Sequence, residues 1–123
     1  MHTLIIGLDA FDPFFFEQLH SKGKTPNLSK LVETKGYSQL RVSDPPQSEV
    51  SWTSIATGMN PGSHGMFDFV HRNPANYSPQ VSLLPTQNNL LGLQFIPPYN
   101  TRTIFDEAVE DGYPATSMWW PAP

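Results

Sequence analysis

At 123 residues the chain has room for one domain built on one core. A net charge of −4 with only seven Lys and Arg excludes a sequence-independent grip on nucleic acid, which needs clustered cations. The absence of cysteine excludes disulfides and thiolate zinc sites, and thirteen prolines make the chain rich in turns and extended segments.

Met1-His2-Thr3 leads directly into an apolar run, without a basic n-region or a small-residue cleavage site, and no stretch has transmembrane length. The chain therefore reads as soluble, cytoplasmic and unattached to membrane. Thr3 to Leu8 is a continuous apolar segment of strand length, the pattern of a strand buried on both faces of a parallel sheet. Asp12-Pro13 then opens a helix, with Asp12 as N-cap and Pro13 at the first helical position. Phe14, Phe15, Phe16 and Leu19 are expected inward, and Gly23 ends it. Thr25-Pro26 repeats this chemistry for a second helix to about Thr34, with Gly36 as its stop. Tyr37 to Val42 alternates as a strand.

Asp44-Pro45-Pro46 is a rigid, extended approach. Ser48 opens a third helix, with Val50, Trp52, Ile55 and Ala56 inward and Gly58 at its close, and Asn60-Pro61-Gly62 turns the chain. Residues 72–100 form a long polar, proline-punctuated excursion, with short strands expected at Gln80–Leu84 and Leu91–Ile96; a loop of that length is usually functional or mobile. Thr103 with Asp106 resembles a capping box for a helix over Ile104-Phe105 and Ala108-Val109. Ala115 to Trp120 is a further buried-strand segment. Strands alternating with helices predict an α/β fold with a mainly parallel sheet.

Two positions carry chemistry. Asp9 ends the first predicted strand, where open α/β sheets gather ligands, and a hard carboxylate there can hold a divalent ion. Ser48 opens a helix, so backbone N–H groups would face an incoming phosphate and the developing oxyanion. On local sequence alone each has a plainer reading: Asp9 as a loop carboxylate, Ser48 as a capping serine. Asp12 is best explained as a cap and His64, in Gly65's turn, as a turn-stabilising residue. His2, His20 and His71 have no partner at ligand spacing, and Trp119 and Trp120 fit a core better than a binding surface.

Gly7-Leu8-Asp9, Thr25-Pro26-Asn27-Leu28-Ser29-Lys30-Leu31, the run from Ser48 to Gly65 and Phe67-Asp68-Phe69, taken in this order, resemble the alkaline phosphatase superfamily. Its type I phosphodiesterase and nucleotide pyrophosphatase branch is the nearest. The resemblance runs from Leu4 to about Arg72 and resumes from Thr101 to Pro121. Members are several times longer, so residues 1–123 look like the N-terminal segment of such a domain, a partial three-layer α/β sandwich whose C-terminal remainder is absent. The resemblance reverses the plain readings. It implies Asp9 as a metal ligand and Ser48 as both nucleophile and metal ligand, two divalent ions with zinc as the expectation, phosphate-ester small molecules as substrates, and a phosphoseryl intermediate that water hydrolyses. Nucleotide pyrophosphatases carry Asn three residues beyond the nucleophile, where this chain has Ser51.

Alternatives stay open. A phosphomutase of the same superfamily is not separated from a hydrolase, and a short non-catalytic product acting as an interaction module belongs to a different class. A sulfatase fits less well, since Ser48-Glu49-Val50-Ser51-Trp52 lacks that family's Pro/Ala and Arg. With two ligands where catalytic zinc takes about three from protein, residues 1–123 alone are expected to bind metal weakly and to turn over negligibly.

Overall fold

A computed structural model describes residues 3–72, 75–81 and 101–121. The chain divides into two compact units, Met1–Arg41 and Val42–Pro123.

In the first unit, Asp12 stops the preceding segment by accepting the N–H groups of Phe14 and Phe15 at 2.7 and 3.2 Å. This satisfies two of the donors that every helix start leaves open. Helix α1 (Pro13–Ser21) follows and α2 (Pro26–Lys35) packs on it. Phe16 is the buried residue of α1 and is ringed by Phe11, His20 and Tyr37 at centroid distances of 5.4, 5.8 and 5.5 Å. Phe14 and Phe15 are 67% and 62% exposed, which corrects their expected inward placement: a nine-residue helix against one partner buries only a narrow stripe. Glu17 ties down the following segment by accepting from Tyr37 Oη and Gln39 Nε2. Thr25 occupies the cap of α2 without making a cap bond; its hydroxyl lies 3.4 Å from Ser29 Oγ, which also meets His20 Nδ1 at 2.7 Å. Gly36, at φ +91, stops α2 in a conformation that side chains resist.

In the second unit the organising element is α3 (Ser48–Thr57), which packs against the single-turn α4 (Pro61–His64) and against α5 (Ile104–Glu110). Gly58 closes α3 in the left-handed conformation and donates to Ser54 O at 2.9 Å. Asn60 caps α4 by accepting from Ser63 N at 3.0 Å. The buried core gathers on Val50 and Met66. Of the residues expected inward on α3, Val50 and Ala56 are buried, Trp52 is half-buried and Ile55 is exposed. Glu49 and Thr53 take the remaining buried places.

The mainly parallel sheet is not formed. Among the described residues the strands are β1 (Val70–Arg72) and β2 (Pro79–Val81), an antiparallel ribbon pairing Val70 with Val81 and Arg72 with Pro79. Thr3–Leu8, Tyr37–Val42 and Ala115–Trp120 are not strands, and Leu4, Leu40 and Met118 within them are each at least 77% exposed. A strand exists only where a neighbour takes its N–H and C=O groups. Apolar, β-branched composition describes a surface suited to a sheet and supplies no such neighbour. The excursion begins with the ribbon, whose β2 overlaps the start of the expected Gln80–Leu84 strand; the rest of that segment and Leu91–Ile96 lie outside the described residues.

Helix α5 starts as expected. Thr103 Oγ1 accepts from Asp106 N while the Asp106 carboxylate accepts from Thr103 N at 2.8 Å, a reciprocal box with Asp in the usual Glu position. These bonds from Thr103 hold the Asp106 carboxyl below the usual range. A depressed acid stabilises the fold above its unfolded pKa and loses that contribution as pH falls through its folded value. The start of α5 is therefore expected to fray only below about pH 3.9, as an acid titration of the Glu107 and Ala108 amide resonances would show. Fraying at pH 5 would contradict the box. Arg102, just before the helix, pairs with Glu110 in its last turn and, at 3.6 Å, with Glu107.

Candidate active site

Ser48 owes its position to the segment before it. The Asp44–Pro45 bond is cis, Gln47 N donates to Pro45 O at 2.9 Å, and Gln47 is extended at φ −110, ψ 148 before α3 begins. Gln47, not Ser48, therefore holds the cap position, and its side chain makes no cap bond. Ser48 stands one residue further in, half-buried, in the first turn of the helix. First-turn N–H groups lack intrahelical acceptors and carry the positive end of the helix dipole. An anion beside Ser48 is favoured by both. Glu49, 2% exposed, and Thr53, fully buried, follow on one face of α3. Sequence reading passed over both; their four-residue spacing was the only signal.

Asp9 is exposed and belongs to the first unit, whereas Ser48 belongs to the second. The residue after Asp9 is Ala10 at φ +53. Left-handed backbone costs a residue with a Cβ about 1 kcal/mol, and here it turns the chain sharply just beyond the carboxylate. Ala10, Phe11, Phe15, Phe16, Leu19 and Leu28 line an open, mainly apolar cavity there. Asp12, on the same rim, is engaged as the α1 cap.

Among the described residues no three His, Asp or Glu side chains converge to hold a metal ion. Asp9 and Ser48 are two oxygen donors, fewer than the three or so protein ligands that a zinc centre takes even when one position is open. Calorimetric titration of residues 1–123 with zinc is accordingly expected to show weak or no binding. Tight binding that Asp9→Ala abolishes would contradict it.

A second hydroxyl resembles a nucleophile by distance alone. Ser54 Oγ lies 2.9 Å from His64 Nε2, and Ser43 Oγ donates to it at 3.0 Å. The polarity is wrong for catalysis. Met66 N–H donates to His64 Nδ1 at 3.0 Å, so Nδ1 carries the lone pair and the neutral ring holds its proton on Nε2. The imidazole therefore donates to Ser54 instead of accepting from it, whereas an activating base must take the proton of its hydroxyl. His64 is 2% exposed, and burial pushes its pKa below the ordinary histidine value.

The two tryptophans near the end part company. Trp120 is half-buried, edge-on to Trp52 of α3 and to Phe105 of α5 at 5.0 and 5.2 Å, and its indole N–H donates to Trp52 O at 3.3 Å. It joins α3 to α5, in keeping with a core role. Trp119, in left-handed backbone at φ +56, is 97% exposed, which corrects its expected core placement: the place against α3 and α5 is taken by Trp120.

The family model for type I phosphodiesterase / nucleotide pyrophosphatase matches residues 3–123. The chain belongs to this family, and its domain is of the phosphodiesterase/pyrophosphatase hydrolase type. No curated protein and no solved structure gives a significant match to it. No helix among the described residues is long and apolar enough to cross a membrane.

Proposed function

We propose that this chain carries the nucleophile of a phosphodiester or phosphomonoester hydrolase, and that the nucleophile is Ser48. The observation that carries the reading is the position of Ser48 in the first turn of α3, within a chain matched to the family over residues 3–123. Ser48 Oγ attacks phosphorus, the P–O bond to the leaving group breaks, the serine proton is lost and the departing oxygen gains one. Water then cleaves the seryl phosphate, restoring the hydroxyl and releasing phosphate or its monoester. The first-turn N–H groups of α3 suit the oxyanion that develops at phosphorus.

Asp9 is the carboxylate this reading assigns to metal. Divalent ions, zinc by family resemblance, would need further ligands from outside the described residues, so no step is assigned to them. The substrates are small phosphate esters; with Ser51 in place of the pyrophosphatase Asn, a nucleotide is not specified.

The test is covalent trapping. Native protein from its source, its intact mass recorded, is incubated with bis(4-nitrophenyl) phosphate and quenched in acid. A phosphoryl or nitrophenylphosphoryl adduct on the Ser48 peptide is expected. An adduct elsewhere, or hydrolysis without one, would sink the assignment.

A further inference from the structure

The chain Ser43–Ser54–His64–Met66 does more than close a turn. It links four points of the second unit: the segment entering α3, the last turns of α3, the end of α4 and the backbone beyond it. Its direction depends on one proton. With Nε2 protonated and Nδ1 bare, the ring donates to Ser54 and accepts from Met66. A proton added to Nδ1 sets two N–H groups against each other at a separation of 3.0 Å and removes the only acceptor the ring offers the Met66 amide. Met66 is itself fully buried against Val50 of α3, so displacing its backbone disturbs the core on which the helix rests.

We propose that neutral His64 is a proton-sensitive latch and a positioning residue for α3: in its Nε2–H form it holds the helix that begins at Ser48, and protonation at Nδ1 releases it. The bearing of the latch on catalysis rests on Ser48 being the nucleophile; the latch itself does not.

The direction of titration agrees, because burial lowers the His64 pKa. A histidine depressed in the folded state contributes stability above its unfolded pKa, about 6.5, and that contribution is lost as pH falls through the lower folded value. The other charged groups on the adjoining elements are Glu49, buried on α3, the exposed Asp44 and Asp68 on the flanking segments, Asp106, Glu107 and Glu110 on α5, and Arg102 and Asp111 at the two ends of α5. The bonds from Thr103 hold the capping acid Asp106 below the usual carboxylate range.

The experiment is a ¹⁵N NMR titration of the His64 ring from pH 7.5 downward, with amide hydrogen exchange of α3 and α5 followed at each pH. The Nε2–H tautomer is expected at neutral pH, with ring protonation below the ordinary histidine value. It should coincide with a loss of α3 protection of about five- to tenfold, the scale of one or two hydrogen bonds, while α5 keeps its own. In Ser54→Ala part of that loss is expected already at neutral pH, and acidification is expected to lower protection further, because the bond from Met66 N to Nδ1 remains to be broken. An Nδ1–H tautomer, a ring that titrates at the ordinary value, or α3 protection that ignores ring protonation would each overturn the latch. A latch that behaves as described alongside unchanged hydrolysis in Ser48→Ala would instead sink the nucleophile reading alone.

Discussion

Replacing Ser48 by alanine is expected to lower phosphate-ester hydrolysis by the native protein on the order of a thousandfold or more, while leaving its stability within about 0.5 kcal/mol of wild type. Both halves follow from position. A nucleophilic oxygen has no substitute when its side chain is truncated to a methyl group, so the loss falls on the chemical step. The stability half follows because Gln47 holds the cap and Ser48 lies inside the helix, where alanine is the better helix former. A serine that served as a plain cap would show the reverse: about 1 kcal/mol of lost stability and an unchanged rate. Initial rates with 4-nitrophenyl phosphate esters, set beside urea unfolding midpoints, separate the two. Ser48→Thr keeps a hydroxyl at the same atom and is expected to retain part of the activity, since the family nucleophile is Ser or Thr.

Met66→Ala is expected to destabilise the second unit by about 2–5 kcal/mol. Met66 is fully buried in contact with Val50, equally buried on α3, and these two form the apolar core cluster of that unit. Truncation removes the transfer energy of the side chain and leaves a cavity that two short helices collapse onto only in part. Against a total stability of about 5–15 kcal/mol for an ordinary domain, the loss shifts the urea midpoint of the second unit by about 1 M or more. Met66→Leu, nearly volume-conserving, should cost less than about 1.5 kcal/mol. The backbone N–H that serves His64 survives both substitutions, so the ring tautomer is expected to persist wherever the unit remains folded. Equal effects of Ala and Leu would show that volume is not what Met66 supplies.

Helix starts and stops were legible in the sequence because they are local events. Asp12 with Pro13, Thr103 with Asp106, Gly36 and Gly58 act within a few residues of themselves, through side-chain bonds to neighbouring amides or through backbone freedom. Ser48 at a helix start and the family resemblance were readable for the same reason, being carried by short ordered motifs. The misplaced residues were those whose environment lies far along the chain. Phe14, Phe15 and Ile55 are apolar at helical spacing yet exposed, because which side of a helix is covered depends on where another helix lands. Glu49 and Thr53 are polar yet buried for the same reason, and the polarity of the Ser54–His64 pair was set by a backbone amide two residues beyond the ring.

The sheet is the sharpest instance. Thr3–Leu8, Tyr37–Val42 and Ala115–Trp120 have strand composition, but a ladder is a relation between two segments, and among the described residues only Val70–Arg72 and Pro79–Val81 find each other. The sequence by itself determined where the helices start and stop, and the family. Tertiary structure alone decided which faces of the helices are buried, because that depends on contacts that no local stretch of residues contains.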